Sequence, residues 1–413
     1  MRQGRRGLIF IYILLGCSFL FGKIHGGFIA WFLFYICLFL SLYVSVVAWG
    51  LLRDFTAVRE LSSSRLTAGE TLRVTITFKQ GFNWLGSWIF LCDHSSLMKR
   101  AERGEAEVLL FSNFKRQGTH QYVIRNLPRG RHRFFKIEVE AGDLFGLVER
   151  RMVVEAKEEL LVYPAIRRIQ SWYTVNERSR GQAYRMGKMN EDFTSVVGIR
   201  EYIRGDRLNR IDWKATARGM SLKVKEFEHQ VSNDLVLVLD QRESSFPKGA
   251  ESQFERGVQL AASLAHYAIH QHHPVGLISC GVQRITFAKG RTQDHLIRLL
   301  EFLAEVEIGG EESLSETLLQ ESHNLSPGTT LAVITSALDQ PLVQAVHELV
   351  LRRKKVELFI LQSLSNWNTN QLPLWEQLER TGVKLWPVTH DGFEEILKGE
   401  IHHVANAAKR SFH

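Results

Sequence analysis

Cysteine is scarce: Cys17, Cys37, Cys92 and Cys280 are the only four in 413 residues. Two lie in apolar runs, and the other two are far apart. No CxxC pair and no Cys/His cluster at zinc spacing occurs, so a disulfide framework and a structural zinc site are both disfavoured. The soluble part reads as reduced, which favours the cytosolic side of a membrane. Proline is also sparse, at 8 residues, and there are no biased repeats, which argues against long disordered linkers. Catalytic signatures are missing as well. There is no Gly-x-Ser-x-Gly, no Walker A loop and no His-Glu-x-x-His, and Gly69, Gly81 and Gly86 form no phosphate loop. A hydrolase needs a positioned nucleophile and base, and neither is legible. The chain is expected not to be an enzyme.

Long apolar runs are present, and both are N-terminal. Leu8 to Gly22 is broken only by Ser18, and Gly27 to Leu52 carries no charge. The second run is long enough for a bilayer, which takes about 20 residues. The first spans with local thinning or snorkelling at its ends. The connector Lys23-Ile24-His25-Gly26 forces a helical hairpin over residues 1–53. Arg2, Arg5 and Arg6 precede it, and Arg53, Arg59 and Arg65 follow, so the positive-inside rule places both ends in the cytosol. The expected localisation is the cell membrane, multi-pass, with the soluble domains on the cytoplasmic side. A cleaved signal peptide is the alternative, but no small-x-small site ends the first run. Leu14-Leu15-Gly16-Cys17 also resembles a lipoprotein site, yet the apolar run continues past Cys17.

After residue 53 the pattern becomes alternation. Leu72 to Phe78 and Phe135 to Glu140 alternate apolar and polar residues, as half-buried strands do. Further strands are read at 86–92, 106–111, 119–124, 147–154 and 159–163, separated by turn signals such as Pro128-Arg129-Gly130. Residues 54–163 are therefore expected to form an antiparallel β-sandwich module. From residue 234 the pattern changes again. Leu235-Val236-Leu237-Val238-Leu239-Asp240 is a continuous apolar run ending in an acid, the mark of a buried parallel strand. Strands at 275–280, 284–288, 330–335, 356–361 and 383–388 alternate with helices, which include 293–305, 313–322, 340–353, 373–381 and 391–408. That order predicts a doubly wound α/β domain over residues 234–413.

Between these modules lies a basic segment. Residues 164–233 hold fourteen lysines and arginines against eight acids, whereas residues 234–413 hold sixteen against twenty-two. A stretch Arg178 to Asn190 reads as an extended loop. Next comes Gly198-Ile199-Arg200-Glu201-Tyr202-Ile203-Arg204-Gly205-Asp206-Arg207-Leu208-Asn209-Arg210-Ile211-Asp212-Trp213-Lys214-Ala215-Thr216-Ala217-Arg218. Asp206 is placed to cap a helix over 208–218, on which Arg210, Lys214 and Arg218 would share a face. A strand resumes at 222–227.

These residues carry a resemblance. Arg200-Glu201-Tyr202, Gly205-Asp206, Ile211 through Arg218 and Val224-Lys225-Glu226-Phe227 are similar to the signature of the DUF58 proteins. Asp143-Leu144-Phe145-Gly146-Leu147 and Val162-Tyr163-Pro164 upstream support it, as does the hairpin. One departure is Asn209, where the family often has Arg. The resemblance implies a von Willebrand A-like domain and association with a MoxR-type AAA+ ATPase, with a transglutaminase-like membrane protein as a further associate. Three readings of the signature charges stay open. Arg204, Asp206, Arg210, Asp212, Trp213, Lys214 and Arg218 would dock that partner; they would form an internal ion-pair belt; or the Arg210/Lys214/Arg218 face would bind nucleic acid, for which no recognised module or aromatic interleaving is present.

A von Willebrand A domain implies a Mg²⁺ site of oxygen ligands at the carboxyl edge of the sheet, built on Asp-x-Ser-x-Ser, a Thr and an Asp. Here the first loop is Asp240-Gln241-Arg242-Glu243-Ser244, the second is Gly309-Gly310-Glu311-Glu312-Ser313, and Ser336 stands where the Asp is expected. Asp240, Arg242, Ser244 and Ser336 thus read as a degenerate remnant. The Arg242 guanidinium is expected to fill the metal's space and pair with Asp240, and no metal is expected. The alternative is Mg²⁺ on Asp240, Ser244 and Asp339. The expected function is a membrane-anchored scaffold or adaptor for the ATPase. The alternatives are a metal-dependent peptide- or protein-binding module and, third, a hydrolase.

Overall fold

The computed structural model describes residues 3–81, 87–97, 106–111, 117–169, 172, 196–204, 206, 208–219, 221–227, 234–246, 249–326, 328–361 and 371–388. The loop read at 178–190 and the helix read at 391–408 lie outside the described residues. The chain divides into two compact units, Met1–Ala165 and Ile166–His413.

The first unit opens with helices α1 (Gln3–His25) and α2 (Gly27–Gly50). Both are long and apolar enough to cross a membrane, with mean hydropathies of 2.0 and 2.2 over their apolar stretches. α1 exceeds the apolar run on both sides because nothing before Gly26 breaks a helix. Gly26 and Gly27 then take φ of 63° and 83°, a region that favours glycine, and the chain reverses there. The Tyr12 and Ser45 hydroxyls tie the two helices together at 2.7 Å.

Among the described residues, the rest of the unit is two sheets. Strands β1 (Thr56–Leu61), β3 (Leu72–Lys79) and β6 (Gln117–Ile124) form one, in the order β1-β3-β6. The second has the order β2-β8-β7-β4-β5, with β2 (Arg65–Thr67), β4 (Trp88–Ser95), β5 (Glu107–Phe111), β7 (Gly130–Gly142) and β8 (Glu149–Tyr163). Alternating residues of both sheets meet in one core, among them Leu72, Val74, Ile76, Leu91, Phe134, Ile137 and Leu160. Truncating any of these to alanine is expected to cost about 2–5 kcal/mol. Val47 and Leu51, from the end of α2, belong to the same core. Two expectations need correcting. The strands read at 147–154 and 159–163 are one strand, β8, because its alternation runs unbroken through Glu155 and Lys157 on the exposed face. The sandwich is also not wholly antiparallel, since β2 pairs with β8 in parallel. β2 follows β1 by changing sheets, so no hairpin compels it to run antiparallel.

The second unit contains a two-stranded antiparallel ribbon, β9 (Val196–Glu201) with β10 (Lys223–Phe227). It also contains a six-stranded sheet of β11 (Leu235–Asp240), β12 (Val275–Cys280), β13 (Ile285–Gly290), β14 (Thr330–Thr335), β15 (Lys355–Ile360) and β16 (Lys384–Pro387), in the order β13-β12-β11-β14-β15-β16. All pairs are parallel except β12–β13. The few residues between β12 and β13 make a hairpin but cannot hold a crossover. Helix α4 (Glu251–His270), with α5 (Gln293–Glu305), covers one face. Helices α6 (Leu314–Ser322), α7 (Gln340–Leu351) and α8 (Gln371–Arg380) bury Leu318, Leu342, Val346 and Leu378 against Val236, Val238, Val333 and Leu358 on the other. Short helix α3 (Trp213–Thr216) belongs to the signature segment.

Candidate functional site

The signature segment is built on the β9–β10 ribbon. Val224 pairs with Arg200 on one side and bridges to Ile211 on the other. Val224 and Ile211 are both buried, so this short apolar row is the anchor of the segment. A turn closes at Asp206, which is a clasp and not a helix cap. Its carboxylate takes two hydrogen bonds of 2.7 Å from the Arg200 guanidinium and one of 2.9 Å from the Ile203 amide. The Arg200 hydrogen bonds, with the amide of Ile203, hold the Asp206 carboxyl down at about 2.

The single helix expected over 208–218 is broken. Leu208–Arg210 is a 3-10 turn, Ile211 is spent on its bridge to Val224, and only Trp213–Thr216 is α-helical. Arg210, Lys214 and Arg218 therefore do not form a helical stripe. Asp212 caps α3, accepting from the amides of Lys214 and Ala215 at 3.0 Å. Cross-strand, Lys223 meets Glu201 at 3.1 Å. The acids Asp206 and Asp212 thus serve local structure. Solvent meets Arg204, Lys214 and Arg218, together with Ile203, Leu208 and Trp213, the last 67% exposed.

The second candidate lies at the carboxyl edge of the six-stranded sheet, where the strand order reverses between β11 and β14. Doubly wound sheets bind ligands outside the carboxyl ends of their strands at such a point. Asp240 ends β11 there and is fully buried. Oδ1 accepts from the Arg242 amide at 3.1 Å and from Arg242 Nε at 3.0 Å. Oδ2 accepts from Arg242 Nη2 at 3.0 Å, Ser245 Oγ at 2.6 Å and Thr335 Oγ1 at 2.7 Å. Arg242 Nη1 also lies 3.8 Å from Asp339. Burial disfavours the Arg242 charge, but the hydrogen bonds to Asp240 together with the charges of Asp240 and Asp339 outweigh it and raise its pKa.

Ser244 is exposed; the hydroxyl on Asp240 belongs to its neighbour Ser245. Ser336 is buried and donates to the Ser245 carbonyl. Asp339 caps α7 through the Leu342 amide at 2.9 Å. The second loop docks by its backbone, Gly309 N to Gln241 O at 2.8 Å. Gly310, at φ 93°, sits so close to Gly281 that a Cβ there would fall 2.1 Å from its carbonyl carbon. Burial pushes the nearby Cys280 thiol up to about 12, so it is inert. Among the described residues, no group of three or more His, Cys, Asp or Glu is placed to share a metal. The donor set does not suit Mg²⁺: the one central carboxylate already accepts five hydrogen bonds, and a guanidinium lies where a cation would approach. Sequence reasoning missed Ser245 and Thr335; the apolar strand ending in Thr335 and the doubled serine Ser244-Ser245 were the available signals.

The family described as "Protein of unknown function DUF58" matches residues 198–358, which hold both candidate sites. The Bacillus subtilis (strain 168) protein named "Uncharacterized protein YeaD" is 31% identical over 319 residues, covering 76% of this chain and 78% of that protein. The chain belongs to the DUF58 family. Among solved structures, proximal thread matrix protein 1 from the mussel byssus aligns with a TM-score of 0.30 and 13% identity, over 41% of this chain. The chain spans about half of that protein's length, 46%. The PilB minor pilin from Streptococcus sanguinis aligns with a TM-score of 0.31 and 7% identity, over 78% of this chain and 87% of that one. Similarities this low define no common fold.

Proposed function

We propose that this DUF58 protein is a membrane-anchored, non-enzymatic adaptor whose signature loop docks a MoxR-type AAA+ ATPase. The hairpin α1–α2 would be its multi-pass anchor in the cell membrane, and the domains after it would lie on the cytoplasmic side, in keeping with the arginines that flank the hairpin. One observation carries the docking reading. The loop's two central acids are consumed internally by the Arg200 clasp and the α3 cap, while Trp213, Ile203 and Leu208 face solvent among the cations Arg204, Lys214 and Arg218. Exposed Trp beside Arg is the composition of an interface hot spot. A transglutaminase-like membrane protein is a second partner under the same reading.

We further read the six-stranded sheet as a von Willebrand A-like domain that binds no metal. Asp240 at the switch point, with Ser245 and Thr335 on its carboxylate, supports the first part, and the Arg242 guanidinium on the same carboxylate supports the second. The test is an affinity capture of the full-length protein from native membranes, with an Arg204→Glu/Lys214→Glu/Arg218→Glu variant alongside. Co-purification of an ATPase with the wild type, and its loss with a variant of unchanged melting temperature, is the expected result. Equal recovery by both moves the contact away from the loop. Absence of an ATPase from both, with and without ATP, removes the adaptor reading.

A further inference from the structure

The motif Asp143-Leu144-Phe145-Gly146-Leu147 plays no part in either candidate site, yet it forms a turn held by its own backbone and carboxylate hydrogen bonds. Asp143 is fully buried, and its carboxylate accepts the Val148 amide at 2.6 Å and the Phe145 amide at 3.1 Å. Gly146, at φ 67°, closes the turn. This rigid frame holds two large apolar side chains outward, with Leu144 63% and Phe145 57% exposed. A soluble turn of this kind normally carries polar residues.

The surroundings of the turn explain the exception. Val148 is buried against Val44 and Ala48 of α2, with Leu8 of α1, Leu40, Tyr43 and Leu147 packed around them. The Phe145 ring meets the Tyr43 ring edge-on at 5.9 Å, and the Leu144 amide hydrogen-bonds the Tyr43 hydroxyl. α1 approaches so closely that a Cβ on Gly7 would fall 1.8 Å from the Leu147 carbonyl oxygen. The β7–β8 turn therefore lies alongside the very end of the hairpin at which the exposed apolar belt stops.

That belt is short. Its exposed large side chains run from Ile9 to Ile24 on α1 and from Phe28 to Leu42 on α2, roughly 24 Å and 22 Å at 1.5 Å per residue. A bilayer's hydrocarbon core is about 30 Å thick. Past Leu42, the residues of α2 are buried or half-buried, Val47 in the sandwich core and Val44 and Ala48 against Val148, except Trp49, which is exposed with Arg53 stacked over its ring at 4.2 Å. Trp with Arg at the end of a span marks the headgroup level. Arg150, just after the turn, reaches the Leu51 carbonyl at the same level. Leu144 and Phe145 sit between the belt's edge and this aromatic-basic rim, and they supply the missing apolar height.

We infer that the Asp143–Val148 turn is a third membrane contact, with Leu144 and Phe145 seated in the interfacial zone of the bilayer that the two helices cross. The inference rests on the membrane-anchor reading above. The turn makes the sandwich part of the anchor and fixes the module's tilt on the bilayer.

The experiment uses the full-length protein in vesicles of phosphatidylethanolamine and phosphatidylglycerol, with its four native cysteines replaced by alanine. Nitroxide labels are placed one at a time through Leu144→Cys, Phe145→Cys, Phe39→Cys on the exposed flank of α2, and Glu155→Cys on the exposed face of β8. Access to oxygen against access to a water-soluble nickel chelate is read at each site. The expected result is an oxygen-to-nickel ratio at 144 and 145 several-fold above that at 155 and approaching that at 39. Ratios at 144 and 145 equal to that at 155, with 39 lipid-exposed, overturn the inference while leaving the anchor intact. Low access to both relaxants at 144 and 145 puts protein against the turn and also overturns it. A water-exposed label at 39 overturns the anchor reading and this inference together.

Discussion

Arg242 lies across the buried carboxylate of Asp240 with two parallel hydrogen bonds of 3.0 Å, Nε to Oδ1 and Nη2 to Oδ2. Paired bonds of this geometry hold a guanidinium where a point cation would otherwise neutralise the acid. Arg242→Ala should therefore do two things. Removing one partner of a buried pair leaves an uncompensated charge, at a cost of about 3–5 kcal/mol. It also opens a cation position bounded by Asp240, Ser245 and Thr335. Thermal melts of the full-length variant should show a lowered transition that millimolar Mg²⁺ partly restores, while the wild type does not respond. A wild type that shifts with Mg²⁺ as much as the variant would defeat the guanidinium-for-metal reading.

The Arg200–Asp206 clasp predicts an acid sensitivity confined to the signature loop. The folded value of Asp206 is about 2, below its ordinary 3.8. A carboxyl depressed in this way contributes stability above its unfolded value and loses it as pH falls from about 4 towards 2. The protection of the Ile203 amide, corrected for intrinsic exchange, should fall across that window. Asp206→Asn should lower it at neutral pH and remove the titration. A protection factor in the wild type that stays flat from pH 5 to pH 2 (on the order of the window set by the shift) would sink the clasp.

Much of this was legible in the chain, for physical reasons that differ by element. The run Leu235–Asp240 could only be a strand buried on both faces, and β11 is buried at every position. Helix α5 was read to the residue, and Thr292 caps it at that boundary, its hydroxyl accepting from the His295 amide. The Arg242–Asp240 pair was expected from the loop that the family resemblance implied, where Arg242 replaces an oxygen ligand and brings the cation's charge. The 208–218 helix did not materialise because i, i+4 spacing registers only helical neighbours. It is blind to the long-range bridge that takes Ile211 to Val224. Ser245 was missed for Ser244 because a one-residue register within a loop depends on backbone turns that no side-chain pattern encodes. Trp172 has partners far along the chain, at Glu357 and Phe359, which no local pattern registers.

Arg59 and Asp93 form an ion pair in the sandwich core with no exposure on either side. Arg59 Nε donates to Asp93 Oδ2 at 2.9 Å, the Tyr122 hydroxyl donates to the same oxygen at 2.7 Å, and Arg59 Nη1 reaches the Ala156 carbonyl at 2.6 Å. Asp93→Asn or Arg59→Met alone should cost about 3–5 kcal/mol, and the double variant Arg59→Met/Asp93→Leu should recover most of that loss. Tyr122→Phe should cost about 1–3 kcal/mol by removing one donor from a buried acid. A double-mutant cycle on the first unit's unfolding transition measures the coupling, and additive losses would show that the pair does not act as a unit.

Glu357 is the acid on which the segment entering the second unit is pinned. The indole N–H groups of Trp172 and Trp386 both donate to its Oε2 at 3.1 Å, and Lys384 approaches Oε1 at 3.5 Å. Phe359 lies between the rings, stacked on Trp386 and edge-on to Trp172. The Arg167 amide adds a bond of 2.9 Å to Ser263 on α4. Burial raises the pKa of Glu357, with Lys384 and the two indoles opposing. An acid raised on folding contributes stability when protonated and loses it as pH rises through the folded value. Glu357→Gln keeps an oxygen for the indoles without the buried charge. It should match the wild type below pH 4 (about the unfolded value of a Glu) and equal or exceed it at neutral pH. Trp172→Phe should cost about 1–3 kcal/mol, because it strands part of that carboxylate, and should raise proteolytic cleavage between residues 166 and 172. If Trp172→Phe leaves both the melting transition and the cleavage unchanged, the segment is not held to the domain through Glu357.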